Sequence, residues 1–221
     1  MAVLLSSRGG AARRHALVKV AGARLAAVAG LTRANGDLMK ATSLLEKQHR
    51  KTEAIFKKLE SGKGDASALV HELANDLAAH MAIEQQIFYP AVRALKDDLI
   101  AESFEEHAVA ELALKRLLAT APDAPAFKAR VTTLKELIEH HVEEEEGELF
   151  PAVEKKMDAG QLADLAKRMT AMFEEAVERG FEALVPKSMG TTSADLANKP
   201  TEKAAGRPNG TTRGRQASAQ R

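Results

Sequence analysis

The sequence predicts an all-α protein, an up-down-up-down four-helix bundle with an additional C-terminal helix and disordered ends. Three observations predict it. Ala, Leu, Glu and Lys are abundant while aromatic residues make up only 4% of the 221, a composition that favours helix over strand. Four long segments repeat apolar residues at helical spacing, each along one face. The breaks between them are short, and short connections make neighbouring helices antiparallel.

The elements follow in order. Residues 1–36 form a basic N-terminal extension with six Lys/Arg and no acid; a short amphipathic helix is expected over 11–29. An acid-free, Arg-rich opening can serve as a transit segment, but a loose extension is the simpler reading. Residues 37–180 form the helical body. Its first helix is expected over 37–60, stopped by Ser61-Gly62-Lys63-Gly64. The second is expected over 65–88, with Asp65 as N-cap and Pro90 as its stop. The third runs over 97–119, ahead of Pro122 and Pro125, and the fourth over 126–148, ahead of Pro151. A fifth helix over 161–179 opens on Asp158 and Gln161, a capping-box pair. Residues 181–221 read as a disordered basic tail, which from Pro186 onward has almost no large apolar residue.

Charge and composition exclude several classes. The net charge of +1 hides an acidic centre: residues 37–186 hold 19 Lys/Arg against 29 Asp/Glu, about −10. An acidic body argues against nucleic acid and leaves only the basic tail for such contact. The longest uncharged run near the start, residues 25–32, falls far short of the roughly 20 residues a membrane span needs. The opening lacks the pattern of a secretory signal, so a cytoplasmic protein is expected. There is no Cys, so any metal must be held by imidazole nitrogen and carboxylate oxygen.

The second and fourth segments end alike. One reads His80-Met-Ala-Ile-Glu84 and runs to Pro90; the other reads His141-Val-Glu-Glu-Glu145 and runs to Pro151. In both, His lies ten residues and Glu six residues before the Pro, and Ala-Val follows it. The first and third segments also correspond: His49 precedes Glu53 by four, and His107 precedes Glu111 by four. The chain thus carries a duplicated helix pair.

His-x-x-x-Glu places both side chains on one helix face, one turn apart. One such pair says little, because about one residue in ten is Glu (22 of 221). The faces say more. His49 lies in line with Leu45, Phe56 and Leu59; His80 with Leu73, Leu77 and Ile87. His107 aligns with Ile100, Phe104 and Leu114, and His141 with Leu134, Ile138 and the nearby Leu149. Each His therefore sits in the apolar seam of its helix. Buried carboxylates facing one another repel and take up protons, and cations between them remove the conflict. Divalent iron, manganese and zinc all accept this donor set. His71 falls on the opposite face and is expected to be solvated, and His15 lies in the extension. His140 is 100° off the seam; it is an alternative ligand or a supporting group, with Glu144 replacing Glu145 if His140 is the ligand.

The stretches LLEKQHRKTEAIF, LAAHMAIEQQIFYPAV, EEHAVAELALKRLL and ELIEHHVEEEEGELFPAV resemble the hemerythrin-like, or HHE cation-binding, family over residues 41–155, about half the chain. The resemblance implies two non-haem iron ions within the bundle. It implies His49, His80, His107 and His141 as nitrogen ligands, with Glu84 and Glu145 as carboxylates bridging the pair. Glu111 and Glu53 are further candidates. The oxygen-carrying members place His-x-x-x-His on the third helix and His-x-x-x-x-Asp on the fourth. Here those positions hold His107 with Glu111, and His141 with Glu145. A centre richer in carboxylate favours ferric iron and departs from reversible oxygen carriage.

The expected function is therefore binding, sensing or buffering of iron, oxygen, nitric oxide or peroxide at a di-iron centre. Manganese or zinc are the less favoured metals. A binding protein is favoured over an enzyme that consumes peroxide or nitric oxide. A metal-free or zinc-held helical interaction module is the third reading. No feature specifies an oligomeric state.

Overall fold

The computed structural model describes residues 38–187 together with Thr192 and Ser193. The N-terminal extension, with its expected helix over 11–29, and most of the basic tail lie outside the described residues.

Helix α1 spans Ala41–Ser61 and ends on Gly62, whose φ of 65° closes the helix in the left-handed region that glycine adopts without strain. Helix α2 begins at Ala66–Ile83, with Asp65 accepting hydrogen bonds from the backbone N–H groups of Ser67 and Ala68. Helix α3 is Asp97–Leu118 and helix α4 begins at Phe127–Glu144. Helix α5, Ala159–Arg179, opens with the reciprocal Asp158–Gln161 capping box that the sequence predicts. A short helix α6, Phe181–Leu184, follows. No strand occurs among the described residues, and no helix there is long and apolar enough to cross a membrane. The all-α bundle expected from the sequence is the fold observed.

Helices α2 and α4 depart from expectation at their ends. The sequence reading stops both before their prolines, yet the structure carries both through. Helix α2 passes into a π-helical turn, Glu84–Phe88, and then Tyr89–Val92; α4 passes into Glu145–Leu149 and then Phe150–Lys156. In each wide turn an N–H bonds five residues back, Tyr89 to the Glu84 carbonyl and Phe150 to that of Glu145. Proline lacks an N–H, and in α geometry its ring strikes the carbonyl four residues back. A wider turn immediately ahead relieves that clash. The extra residue also advances the buried face by one position. Phe88, not Ile87, is fully buried, and Leu149 is buried where Glu148 is exposed.

Two apolar clusters fill the bundle. One gathers Phe56, Leu73, Leu77, Leu114, Leu134 and Ile138 among others; the second gathers Leu45, Phe88, Tyr89, Phe104, Leu149 and Phe150. The four seam histidines lie between them along each helix, so a polar layer is enclosed by apolar layers. Helix α5 lies against α1 and α2 and buries Leu162, Leu165, Ala166 and Met169. That second partner explains why α2 is buried nearly all round, including Ala74, Ala78, Ala79 and Ala82. The chain stays packed past residue 180: Phe181 and Val185 are buried, and the Phe181 N–H donates to Asn75 Oδ1 (2.8 Å). Leu114 is fully buried in the first cluster. Leu114→Ala is expected to cost about 2–5 kcal/mol, read as a lower denaturant midpoint at unchanged slope.

Candidate metal centre

His49 from α1, His80 from α2, His107 from α3 and His141 from α4 each turn Nε2 into the enclosed layer; none is more than 6% exposed. The Nε2 atoms pair at 3.2 Å (His49–His80) and 3.1 Å (His107–His141). Glu84, fully buried, lies across the two pairs. Its Oε1 is 3.1 Å from His80 Nε2 and its Oε2 is 3.3 Å from His107 Nε2. Glu145 Oε2 is 3.5 Å from His49 Nε2 and 3.6 Å from His141 Nε2. Two sets result, His49/His80/Glu84/Glu145 and Glu84/His107/His141, each with its donor atoms within 4.8 Å of one another. They share Glu84. The π turns begin at these two carboxylate residues.

Every imidazole is oriented from behind through Nδ1. His49 meets Glu146 Oε1 at 2.8 Å, His80 meets Gln48 Oε1 at 2.8 Å, and His141 meets Glu106 Oε2 at 2.7 Å. His107 Nδ1 instead faces the Gln85 side-chain nitrogen, Nε2, which donates to it at 3.1 Å. At His49, His80 and His141 an Nδ1–H donated outward to oxygen leaves the Nε2 lone pair pointing inward, the tautomer that binds a cation. His107 reaches that tautomer when the Gln85 amide presents its oxygen instead. Glu146 also accepts from Arg50.

The electrostatics are those of a site built for positive charge. Burial, then the adjacent Glu145 carboxylate, push Glu84 well above the usual carboxylate range. Burial pushes Glu145 the same way, but His141 and His49 outweigh it and hold Glu145 low. Burial, helped by the neighbouring imidazoles His49 and His141 respectively, keeps His80 and His107 well below the usual imidazole value. Burial would lower His141 too, but Glu145 and Glu106 outweigh it and hold it above.

The donor set fits a pair of cations. Both oxygens of Glu84 and Oε2 of Glu145 are buried and have no hydrogen-bond donor; leaving such atoms unmatched costs several kcal/mol. Two donors held about 2.1 Å from one ion stand about 3.0–3.4 Å apart at octahedral or tetrahedral angles. The spacings of 3.1–3.6 Å given above lie close to that range.

The remaining candidates lie elsewhere. Glu53 pairs with Lys57 at the surface. Glu111 is fully buried but turns toward Lys115 Nζ (2.9 Å) and accepts from the Ser193 N–H. His140 is exposed and groups with Glu106 and Glu144 outside the layer, at 3.6 and 3.7 Å. His71 is exposed, as expected. Sequence reasoning missed Tyr89. Its hydroxyl, fully buried, donates to Glu145 Oε1 (3.0 Å) and lies 3.4 Å from His107 Nε2. Burial, Glu145 and Glu84 push that phenol well above its usual value, so it stays protonated. The aromatic at 89 could be seen in the repeat, where Phe150 matches it, but only the wide turn reveals that residue 89 reaches the centre. The outer partners Gln48, Gln85, Glu106 and Glu146 carried no signal of spacing.

A four-helix bundle enclosing four imidazoles and two carboxylates, one of them shared, defines a cation-binding helical protein. The chain belongs to the hemerythrin family, whose HHE cation-binding domain matches residues 40–153. It is similar to the crystal structure of a hemerythrin HHE cation-binding domain-containing protein from Mycobacterium kansasii. That likeness has a TM-score of 0.59 at 26% identity and covers 72% of this chain and 99% of the other. It is also 26% identical over 144 residues to a protein of Nostoc sp. named DNA nickase, which covers 64% of this chain but only 41% of that protein. An uncharacterized protein of Mycobacterium tuberculosis is 24% identical over 141 residues, 62% of this chain and 87% of its own length.

Proposed function

We propose that this is a cytoplasmic non-haem di-iron protein that binds, senses or buffers a small ligand such as oxygen, nitric oxide or peroxide. In this reading His49, His80, Glu84 and Glu145 hold one iron, and His107, His141 and Glu84 hold the other. The observation that carries it is the buried Glu84 carboxylate, which turns one undonated oxygen toward each imidazole pair. Cys-free nitrogen and oxygen ligation accommodates iron, with manganese and zinc as lesser fits.

Bound iron supplies a Lewis acid able to exchange electrons with a small oxidant or diatomic molecule. The chain's own residues do the rest. The four Nδ1 partners fix ring orientation. Phe88 and Phe150, both buried, exclude water from the carboxylate side. Tyr89 keeps a proton at its hydroxyl oxygen beside Glu145. Removing an outer partner should loosen metal without unfolding the bundle. Glu106→Ala is expected to lower metal affinity by about 10–100-fold, read by competition with a chelator of known affinity.

Metal analysis after iron-replete expression, with a visible spectrum in the presence of azide, tests the reading. It requires about two irons per chain, as the two ligand sets imply, and a ligand-to-metal absorption band. DNA cleavage is not adopted from the Nostoc relative, because the acidic body carries the wrong sign for a polyanion. Nicking of supercoiled plasmid by the iron-loaded protein would reopen it.

A further inference from the structure

The centre is closed on one side and hollow on the other. On the carboxylate side, Phe88 meets Phe150 edge-on with centroids 5.8 Å apart, and Phe150 stacks on the His49 ring at 6.0 Å. On the other side lies a small enclosed space of about 10 Å³, bounded by all four imidazoles and by Leu77 and Met81. Between α1 and α4 a larger surface cavity, about 280 Å³, reaches inward to His49. The two spaces have His49, Thr52, Ile138 and Val142 in common. Thr52 and Ile138 are buried and Val142 is half-buried, so these three side chains form the partition between solvent and the imidazoles.

The outer cavity has a sign as well as a size. Glu53, Glu139, Glu143 and Glu146 line it, against the single guanidinium of Arg50. Arg50 is committed to Glu146 and Glu53. Lys57 reaches Glu53, and Lys135 reaches Glu139, from outside the lining. Four carboxylates against these three cations leave the rim about one charge negative, and a negative, narrowing passage favours cations, slows anions and is indifferent to neutral molecules. The inner space is about the smallest that holds one water-sized molecule.

We propose that this passage is a size and charge filter, admitting to the centre only neutral molecules little larger than water, past Thr52, Ile138 and Val142. The proposal rests on the di-iron reading above and narrows it: uncharged diatomics and hydrogen peroxide pass, while small anions are slowed at the rim. Val142 is the residue to change, because it touches the partition and holds no place among the proposed ligands.

The test uses the full-length, iron-loaded protein in stopped flow, with iron content measured for every variant. Nitric oxide binding is followed on the reduced form and azide binding on the oxidised form. Val142→Trp is expected to slow both at least ten-fold, and Val142→Ala to speed both, with iron content as in the wild type. Glu139→Gln with Glu143→Gln is expected to speed azide several-fold and leave nitric oxide unchanged. Wild-type nitric oxide rates in both Val142 variants, at full iron content, overturn the route. An azide rate indifferent to the rim charges overturns the charge filter. A wild-type protein that binds no iron overturns the di-iron reading itself and is told apart by the metal analysis alone.

Discussion

Glu84→Ala is expected to strip both irons from the protein, while His49→Ala or His141→Ala leaves one. Glu84 turns a separate oxygen to each imidazole pair, at 3.1 and 3.3 Å, where Glu145 reaches both with Oε2 alone, at 3.5 and 3.6 Å, so loss of Glu84 weakens both positions together. The expected loss of affinity exceeds the roughly 10–100-fold that removal of an outer partner costs. Glu84→Gln separates binding from folding. In the metal-free protein Glu84 is held well above the usual carboxylate range by burial and by Glu145. A carboxylate raised in the folded state favours folding fully below its unfolded value, about 4.3, and loses that contribution as pH climbs past it toward the folded value. The neutral amide escapes that loss. Metal-free Glu84→Gln is therefore expected to be more stable than the metal-free wild type at pH 7, with the gap closing toward pH 4, yet unable to retain iron. Paired denaturation curves and metal analysis check this. A variant that keeps two irons would show that Glu84 is a bystander.

Removing metal from the wild type is the second large effect. Metal at about 1,000 times its Kd adds about 4 kcal/mol to stability, roughly 8–16 °C in Tm for a domain of this size. Chelation should forfeit that. The effect has a pH window. His80 and His107 are held well below the usual imidazole value by burial and by His49 and His141. A base depressed in the folded state contributes stability above its unfolded value, about 6.5, and loses it as pH falls below that. Metal release falls in the same range, since these rings must be unprotonated to bind. Thermal melts with and without chelator should therefore differ most at pH 7–8 and converge toward pH 5. Identical melts across that range would deny that any cation is held by these side chains.

Much of this architecture could be read from spacing. The helices follow from apolar periodicity, and the matched His and Glu positions before Pro90 and Pro151 reveal the duplication. The six side chains that the family resemblance implies as ligands are the ones the fold brings into a single layer. Local pattern failed where geometry changes within a helix. The apolar offset of His80 is seven residues to Ile87, but that of His141 is eight, to Leu149. That mismatch was the trace of a wide turn, and the structure resolves it as Phe88 and Leu149 sharing the buried face. Glu111 shows a second limit. It has the spacing from His107 that Glu84 has from His80, yet it turns to Lys115 and Ser193. His80 to Glu84 and His107 to Glu111 are both one regular helical turn, so local spacing cannot separate them; the partner each carboxylate meets does. Partners remote in sequence, such as Glu106 behind His141 and Tyr89 beside Glu145, become visible only once the helices are packed.

Anomalous diffraction at the iron absorption edge, on crystals of iron-loaded protein, bears most directly on the central proposal. Two peaks are expected inside the bundle, one between His49 and His80 and one between His107 and His141, with Glu84 spanning them. Peaks confined to the surface group of Glu106, His140 and Glu144, or an absence of peaks from crystals grown with iron, would contradict it.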